Sequence, residues 1–268
     1  QLLFAYRYVP RGTPLILTWH IPFIKNMRKS IKEFLVKHLN EYDKIIFSSQ
    51  EYIDAAVKAG VHEEKIELIH PIANTNLFRV MDVNKEAVRK RYKLPVDGKI
   101  ILSVQRVDPK SGHEHLIKAL PIVKKQVPDA KLVFVGGQSL SNKLSKDRAA
   151  LQERITKLIK DLKLEDDVIF TGTIDYNKLP EVYNAADVNA LCSKNEGFGL
   201  AVTEGMACGL PVIGTKVGGI PLQVRNGHNG FLAAPGDYEK TAQQLITLLT
   251  DEEKRQKMGK NAVSVVEE

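Results

Sequence analysis

The chain has 268 residues, 43% hydrophobic and 26% charged, with a formal net charge of +7. These proportions suit a soluble globular protein of one or two domains, and no apolar run approaches the length of a membrane span. The positive balance fits an anionic ligand or surface, while the lack of aromatic–basic interleaving, zinc spacing or an RNA-binding signature speaks against nucleic acid. Cys192 and Cys208 lie in apolar surroundings without metal-ligand spacing, so they are expected as buried free thiols in a reducing compartment. The first residue is Gln1 on a strand-like stretch, which reads as the start of a fragment.

Taken in order, residues 15–20 form a short apolar strand ending at His20. Functional residues collect at such carboxyl ends in open parallel sheets. Helical spacing follows over 27–39, then a strand at 44–48. A helix over 50–59 is capped by Ser48 or Ser49 and stopped by Gly60. A third strand covers 65–69. The alternation of strand and helix implies parallel pairing through crossovers. Residues 1–78 are therefore read as the last part of one α/β lobe. Residues 79–98, rich in charge and bounded by Pro95 and Gly98, are read as a linker, and residues 99–268 as a second lobe.

The second lobe opens with a strand at 99–104 that delivers Arg106 and Lys110 beside a helix start at Gly112. His113 and His115 have no partners at metal spacing and are expected as surface or capping residues. Strands at 130–135 and 167–170 follow, the latter leading into Thr171, Gly172 and Thr173. A helix from Leu179 closes at Ala186, and a strand at 188–191 comes next. The segment Asn195-Glu196-Gly197-Phe198-Gly199-Leu200-Ala201-Val202-Thr203-Glu204 then reads as a glycine turn entering a helix. Gly197 and Gly199 permit close backbone approach, and the amides of Phe198, Gly199 and Leu200 would face an anion from a helix N-terminus. Two carboxylates beside an anion repel it unless they accept hydrogen bonds from hydroxyls, as the diols of a ribose or hexose supply. A diphosphate flanked by sugars satisfies both demands. The bland alternative is a surface loop with two solvated glutamates. A second glycine turn, Val217-Gly218-Gly219, precedes a short helix, a last short strand at 231–232 and two final helices.

These pieces resemble the donor-binding domain of retaining glycosyltransferases of the GT-B architecture, with two facing Rossmann-like lobes. They are most similar to family 4, which includes sucrose and trehalose synthases and bacterial mannosyltransferases. The resemblance rests on Ser103-Val104-Gln105-Arg106, Leu132-Val133-Phe134-Val135-Gly136, Val168-Ile169-Phe170-Thr171-Gly172 and Tyr183-Asn184-Ala185-Ala186-Asp187. It continues through Glu196 to Glu204 with seven residues between, Gly209-Leu210-Pro211, and Val217-Gly218-Gly219 onward to Leu232. The first lobe matches more loosely, through Leu17-Thr18-Trp19-His20 and Ile69-His70-Pro71, and its beginning is missing from the resemblance.

The resemblance implies that a sugar moves from a nucleotide-diphosphate donor, a UDP-, GDP- or ADP-sugar, to a hydroxyl of a sugar or lipid-linked acceptor, with anomeric configuration kept. It assigns catalytic parts to His20, Arg106, Lys110 and Glu196. Donor contacts fall to Thr171, Gly172, Thr173, Gly197, Phe198, Gly199, Leu200, Thr203 and Glu204, with Glu204 on the ribose. No metal or other cofactor is implied, and the implied location is the cytoplasm, with the inner face of a membrane open to a basic protein. Two positions depart from the family: Ser111 stands before Gly112 where lysine is usual, and Leu222 follows Pro221 where glutamate is common. The departures keep a non-catalytic nucleotide-sugar-binding relative, or an epimerase or phosphorylase of this architecture, as alternatives.

Overall fold

The computed structural model describes residues 7–10, 12–19, 28–137 and 145–268. By contact density the chain divides into two units, Gln1–Pro71 and Ile72–Glu268. His20 lies outside the described residues.

The first unit carries a three-stranded parallel sheet. Its strands are β1 (Ile16–Trp19), β2 (Lys44–Phe47) and β3 (Ile66–Leu68), in that spatial order. Helices α1 (Lys29–Leu39) and α2 (Gln50–Ala59) connect them and bury Leu35, Leu39, Ile53 and Ala56 against Ile45 and Phe47. Gly60 ends α2 in the left-handed conformation. Ser49 holds the N-cap position, but its hydroxyl is buried and makes no capping bond.

The second unit begins with α3 (Lys85–Arg91) and continues β4 (Ile100–Val104), α4 (His113–Lys124), β5 (Lys131–Val135), α5 (Ser145–Asp161), β6 (Val168–Gly172) and α6 (Leu179–Asn184). It then runs β7 (Val188–Leu191), α7 (Leu200–Ala207), β8 (Val212–Thr215), α8 (Ile220–Gln223), β9 (Gly230–Ala233), α9 (Tyr238–Thr250) and α10 (Glu252–Glu267). All six strands are parallel in the order β6-β5-β4-β7-β8-β9. The chain lays strands outward from β4 on one side, then returns to pair β7 on its other side. That reversal makes the carboxyl ends of β4 and β7 the place where a crevice opens in an open parallel sheet.

Period-two alternation sorts the strand residues between two apolar layers. Ile101, Leu132, Phe134, Val188 and Ile213 face α4, α5 and α9. Ile100, Leu102, Val133 and Val135 face α6 and the residues that precede the sheet. Leu191 and Val212 face α7, α8 and α10.

Two expectations change here. Residues 79–98, read as a linker, fold onto the second unit. Phe78, Val88 and Leu94 are buried, and Arg89 is buried with them. The Arg89 guanidinium donates to the carbonyls of Ala185, Val96 and Gly98 at 3.0–3.1 Å and pairs with Asp187 at 3.3 Å. Asp187 also accepts the Ile100 amide at 2.8 Å, so one buried carboxylate ties this segment to the start of the sheet. His113 and His115 are likewise not surface residues, at 1% and 6% exposure. The His113 ring lies 4.5 Å from Phe134 and 6.2 Å from Phe170, with neither nitrogen hydrogen-bonded, and His115 Nε2 meets Thr241 Oγ1 at 2.8 Å. Both histidines open a helix whose inner face packs on the sheet, and the flat His113 imidazole lies against the aromatic side chains of β5 and β6.

Burial pulls both histidines down from 6.5 to about 4. The unfolded chain takes up their protons near pH 6.5, so it binds more protons than the folded chain between pH 6.5 and about 4. Stability is therefore full above pH 6.5 and falls as pH drops through that window, by roughly 3 kcal/mol for each ring. Urea unfolding at pH 7 and pH 4 should show His113→Leu losing about one ring's share of that pH dependence. An unchanged pH dependence would contradict the burial of a neutral imidazole.

Candidate nucleotide-sugar site

The site is assembled from loops at the carboxyl ends of β4, β5, β6, β7 and β8. The turn after β4 is closed by the Ser111 amide donating to the Asp108 carbonyl at 2.9 Å and the Ser111 hydroxyl donating to the Arg106 carbonyl at 2.8 Å. Ser111 is thus folded into its own turn. The Lys194 amide donates to the Lys110 carbonyl at 2.7 Å, joining this turn to the loop after β7. At Gly112 a Cβ would stand 2.0 Å from the Cys192 carbonyl oxygen, so only glycine lets the two loops meet. Arg106 and Lys110 are both exposed, and among the described residues neither side chain has a hydrogen-bond or ion-pair partner.

The loop after β7 is pressed from behind by the turn after β8. Gly218 takes φ +51, and a Cβ there would fall 1.9 Å from the Glu196 carbonyl oxygen. The Gly219 amide donates to the Gly197 carbonyl at 2.8 Å, and Gln223 Nε2 donates to the Phe198 carbonyl at 2.5 Å. Gly199, at φ +88, then opens α7. Among the described residues the amides of Gly199 and Leu200 donate to no protein acceptor, as expected of a helix N-terminus presented to a ligand. The Thr203 hydroxyl donates to Gln223 Oε1 at 2.6 Å and so braces the same loop.

Neither glutamate is a solvated surface group. Glu196 is partly buried, accepting from Ser193 Oγ at 3.1 Å and from the Gly197 amide at 3.2 Å. Burial pushes its carboxyl up, opposed by those two donors and by the Arg106 guanidinium. Arg106 and Glu196 therefore share one electrostatic neighbourhood across the β4–β7 boundary. Glu204, on α7, is 6% exposed. Its Oε2 accepts the Tyr183 hydroxyl at 3.1 Å, and its Oε1 has no partner among the described residues. Burial raises this carboxyl too, against the Tyr183 bond. Asn189 in β7 fixes the helix by donating to the Ala201 carbonyl at 2.8 Å.

After β6, Thr171 is half-buried and bonds the carbonyls of Phe134 and Gly172, whereas Thr173 is exposed. The Gly136 amide donates to the Gly172 carbonyl at 2.9 Å and the Gln105 amide to the Val135 carbonyl at 2.9 Å, which stitches the ends of β4, β5 and β6 together. Sequence reasoning did not single out Tyr183 or Gln223 as parts of the site. Tyr183 carries a signal only through its place in the 183–187 motif, and Gln223 carries none.

The profile of the family described as glycosyl transferases group 1 matches residues 84–265, and the chain belongs to that family. The D-inositol 3-phosphate glycosyltransferase of Streptomyces bingchenggensis is 33% identical over 82% of this chain and 48% of its own length. The mannosylfructose-phosphate synthase of Agrobacterium fabrum is 30% identical over 80% of this chain and 46% of its own length. The chain thus spans about half the length of these curated relatives. Among solved structures, Anabaena HepE in complex with UDP and glucose superposes with a TM-score of 0.83 at 25% identity, covering 94% of this chain and 66% of that one. The sucrose-phosphate synthase of Thermosynechococcus elongatus gives 0.78 at 29% identity, covering 94% and 62%. The α/β fold, with parallel sheets flanked by helices, is the one seen in these GT-B neighbours.

A carboxylate whose pKa is raised by burial costs the folded state stability at pH values above that raised pKa, and the cost disappears as pH falls through it. Glu204→Gln keeps an acceptor for Tyr183 and should melt higher than the parent at pH 7, with the difference narrowing toward pH 4. An equal or lower melting temperature at pH 7 would contradict the account of Glu204.

Proposed function

We propose that this member of the glycosyl transferases group 1 family binds a nucleoside-diphosphate sugar at the β4–β7 crevice and transfers the sugar to a hydroxyl acceptor. The observation that carries the reading is the combination of a buried carboxylate, Glu204, whose Oε1 has no partner among the described residues, the Gly199 and Leu200 amides and the Arg106 guanidinium, likewise without partners among them, and Glu196 in the electrostatic neighbourhood of Arg106. A diphosphate matches the amides and cation, and a ribose diol matches the carboxylate. The Anabaena neighbour's complexes with UDP and with UDP-glucose support a uridine nucleotide as the first donor to test.

In this reading Glu204 holds the ribose hydroxyls and Glu196 a hydroxyl of the sugar. The 171–174 segment faces the base. As the bond from the anomeric carbon to the diphosphate oxygen breaks, charge builds on the β-phosphate and is met by Arg106, Lys110 and the helix N-terminus rather than by a resident metal. The acceptor oxygen bonds to the anomeric carbon from the face the diphosphate leaves. Its proton passes to the departing phosphate, so configuration is retained, as in family 4. Sucrose-phosphate, mannosylfructose-phosphate and inositol-phosphate chemistry among the relatives supports a soluble hydroxyl acceptor as the first class to test.

A second reading, a donor-binding relative without turnover, has one observation in its favour. Ser111 occupies the position where the family resemblance calls for lysine, and its hydroxyl is committed to the Arg106 carbonyl.

Nucleotide release from UDP-, GDP- and ADP-sugars in the presence and absence of sugar acceptors separates the two: turnover supports the transferase, and tight binding without turnover the binding module. Arg106→Ala should lower turnover by about 10²–10³-fold, the scale of losing one charge-stabilising donor. Lys110→Ala should lower turnover with the melting temperature unchanged, since its side chain is exposed and has no partner among the described residues. Full activity in Lys110→Ala would remove it from the mechanism.

A further inference from the structure

Tyr176 stands at the end of a row of three aromatic rings that leads to Glu204. It lies in a single 3-10 turn, Tyr176–Lys178, between the 171–174 segment and α6. The Asp175 carboxylate fixes that turn by accepting the Asn177 amide at 2.8 Å, and the Lys178 amide donates to the Asp175 carbonyl at 2.9 Å. Phe78, fully buried, sits between two tyrosines. Its ring centroid lies 5.1 Å from Tyr176 and 6.0 Å from Tyr183, both edge-on. Tyr183 is buried, and its hydroxyl is spent on Glu204 Oε2. Tyr176 differs on both counts. It is 48% exposed, and among the described residues its hydroxyl has no hydrogen-bond partner.

A rigid ring with an open phenol is poorly explained as a lid over Phe78 alone, because phenylalanine would cover Phe78 as well. Burial, and then the nearby Glu204 charge, push the Tyr176 phenol above its usual pKa, so it stays a donor at neutral pH. Glu204 can only accept and Tyr176 can donate. A group with hydroxyls that both donate and accept satisfies the pair together.

We propose that Tyr176 is a ribose-recognition residue: its hydroxyl donates to a ribose hydroxyl oxygen of the bound nucleotide while Glu204 accepts from the ribose diol. The proposal rests on the nucleotide-sugar reading of the site and adds to it a contact outside the 171–174 and 196–204 segments. Phe78, from the segment before the sheet, packs edge-on against the Tyr176 ring and helps to set its position.

The test is titration of the parent chain, Tyr176→Phe and Glu204→Gln with UDP, 2′-deoxy-UDP, 3′-deoxy-UDP and inorganic pyrophosphate. GDP or ADP and their deoxy forms replace the uridine set if either binds more tightly. Tyr176→Phe keeps the ring over Phe78. It should weaken nucleotide binding about fivefold, the scale of one net hydrogen bond, and leave pyrophosphate binding unchanged. The loss should vanish with the deoxy nucleotide that lacks the contacted hydroxyl. If Tyr176→Phe binds every probe as the parent does, or loses pyrophosphate affinity equally, the ribose contact is overturned. The site reading survives that result provided Glu204→Gln still weakens nucleotide binding. If neither variant changes nucleotide affinity, both the contact and the site reading fall.

Discussion

The structure depends on the parallel pairing of β4 with β7, at Ile101–Val188 and Leu102–Asn189. Their neighbouring positions bring together two loops that lie eighty-odd residues apart in the chain, one cationic and one carrying a carboxylate and a helix start. Parallel strands end at the same edge of the sheet, so neither loop needs to be long to meet the other. The close approach is then fixed by missing side chains. At Gly112 the β4 loop rests on the Cys192 backbone, and at Gly218 the β8 turn rests on the Glu196 backbone. A methyl group at either position would force the loops apart.

Around this crevice the protein accepts local costs that a purely structural surface would avoid. Glu196 and Glu204 are held where burial opposes their charge. Among the described residues Arg106 and Lys110 are left without a hydrogen-bond or ion-pair partner, although the chain has thirty-two acidic residues. The supporting shell, by contrast, is tied together by hydrogen bonds: Gln223 bridges Thr203 and Phe198, the Asn189 amide holds α7, and Tyr183 holds one oxygen of Glu204. Open groups in front of a hydrogen-bonded scaffold are what preorganised binding requires, and such sites commonly trade stability for function.

Much of this was legible in the sequence because it was written locally. The alternation of short apolar runs with helical spacing marks the parallel sheets, and Gly197, Gly199 and Glu204 at their spacing mark the loop and helix after β7. What was not legible depends on tertiary partners. The charged composition of 79–98 hides Val88 and Leu94, whose burial needs the α6 surface, and Arg89, whose charge is answered by Asp187 nearly a hundred residues later. His113 looks like a solvent-facing polar residue until the sheet's Phe134 and Phe170 are placed beside it, and His115 until Thr241 of α9 meets its ring. The bond from the Thr203 hydroxyl to Gln223 joins residues twenty apart, which no local pattern announces. Ser111 reads as a lost lysine in the sequence, and only the turn shows what it does instead, which is to close the loop that carries Arg106.

The most direct measurement is a crystal structure of this chain with a bound nucleoside diphosphate, UDP first. The account predicts the β-phosphate within hydrogen-bonding distance of the Arg106 guanidinium and the Gly199 or Leu200 amide, and a ribose hydroxyl on Glu204 Oε1. A nucleotide bound away from the β4–β7 edge, or one whose ribose does not touch Glu204, would contradict it.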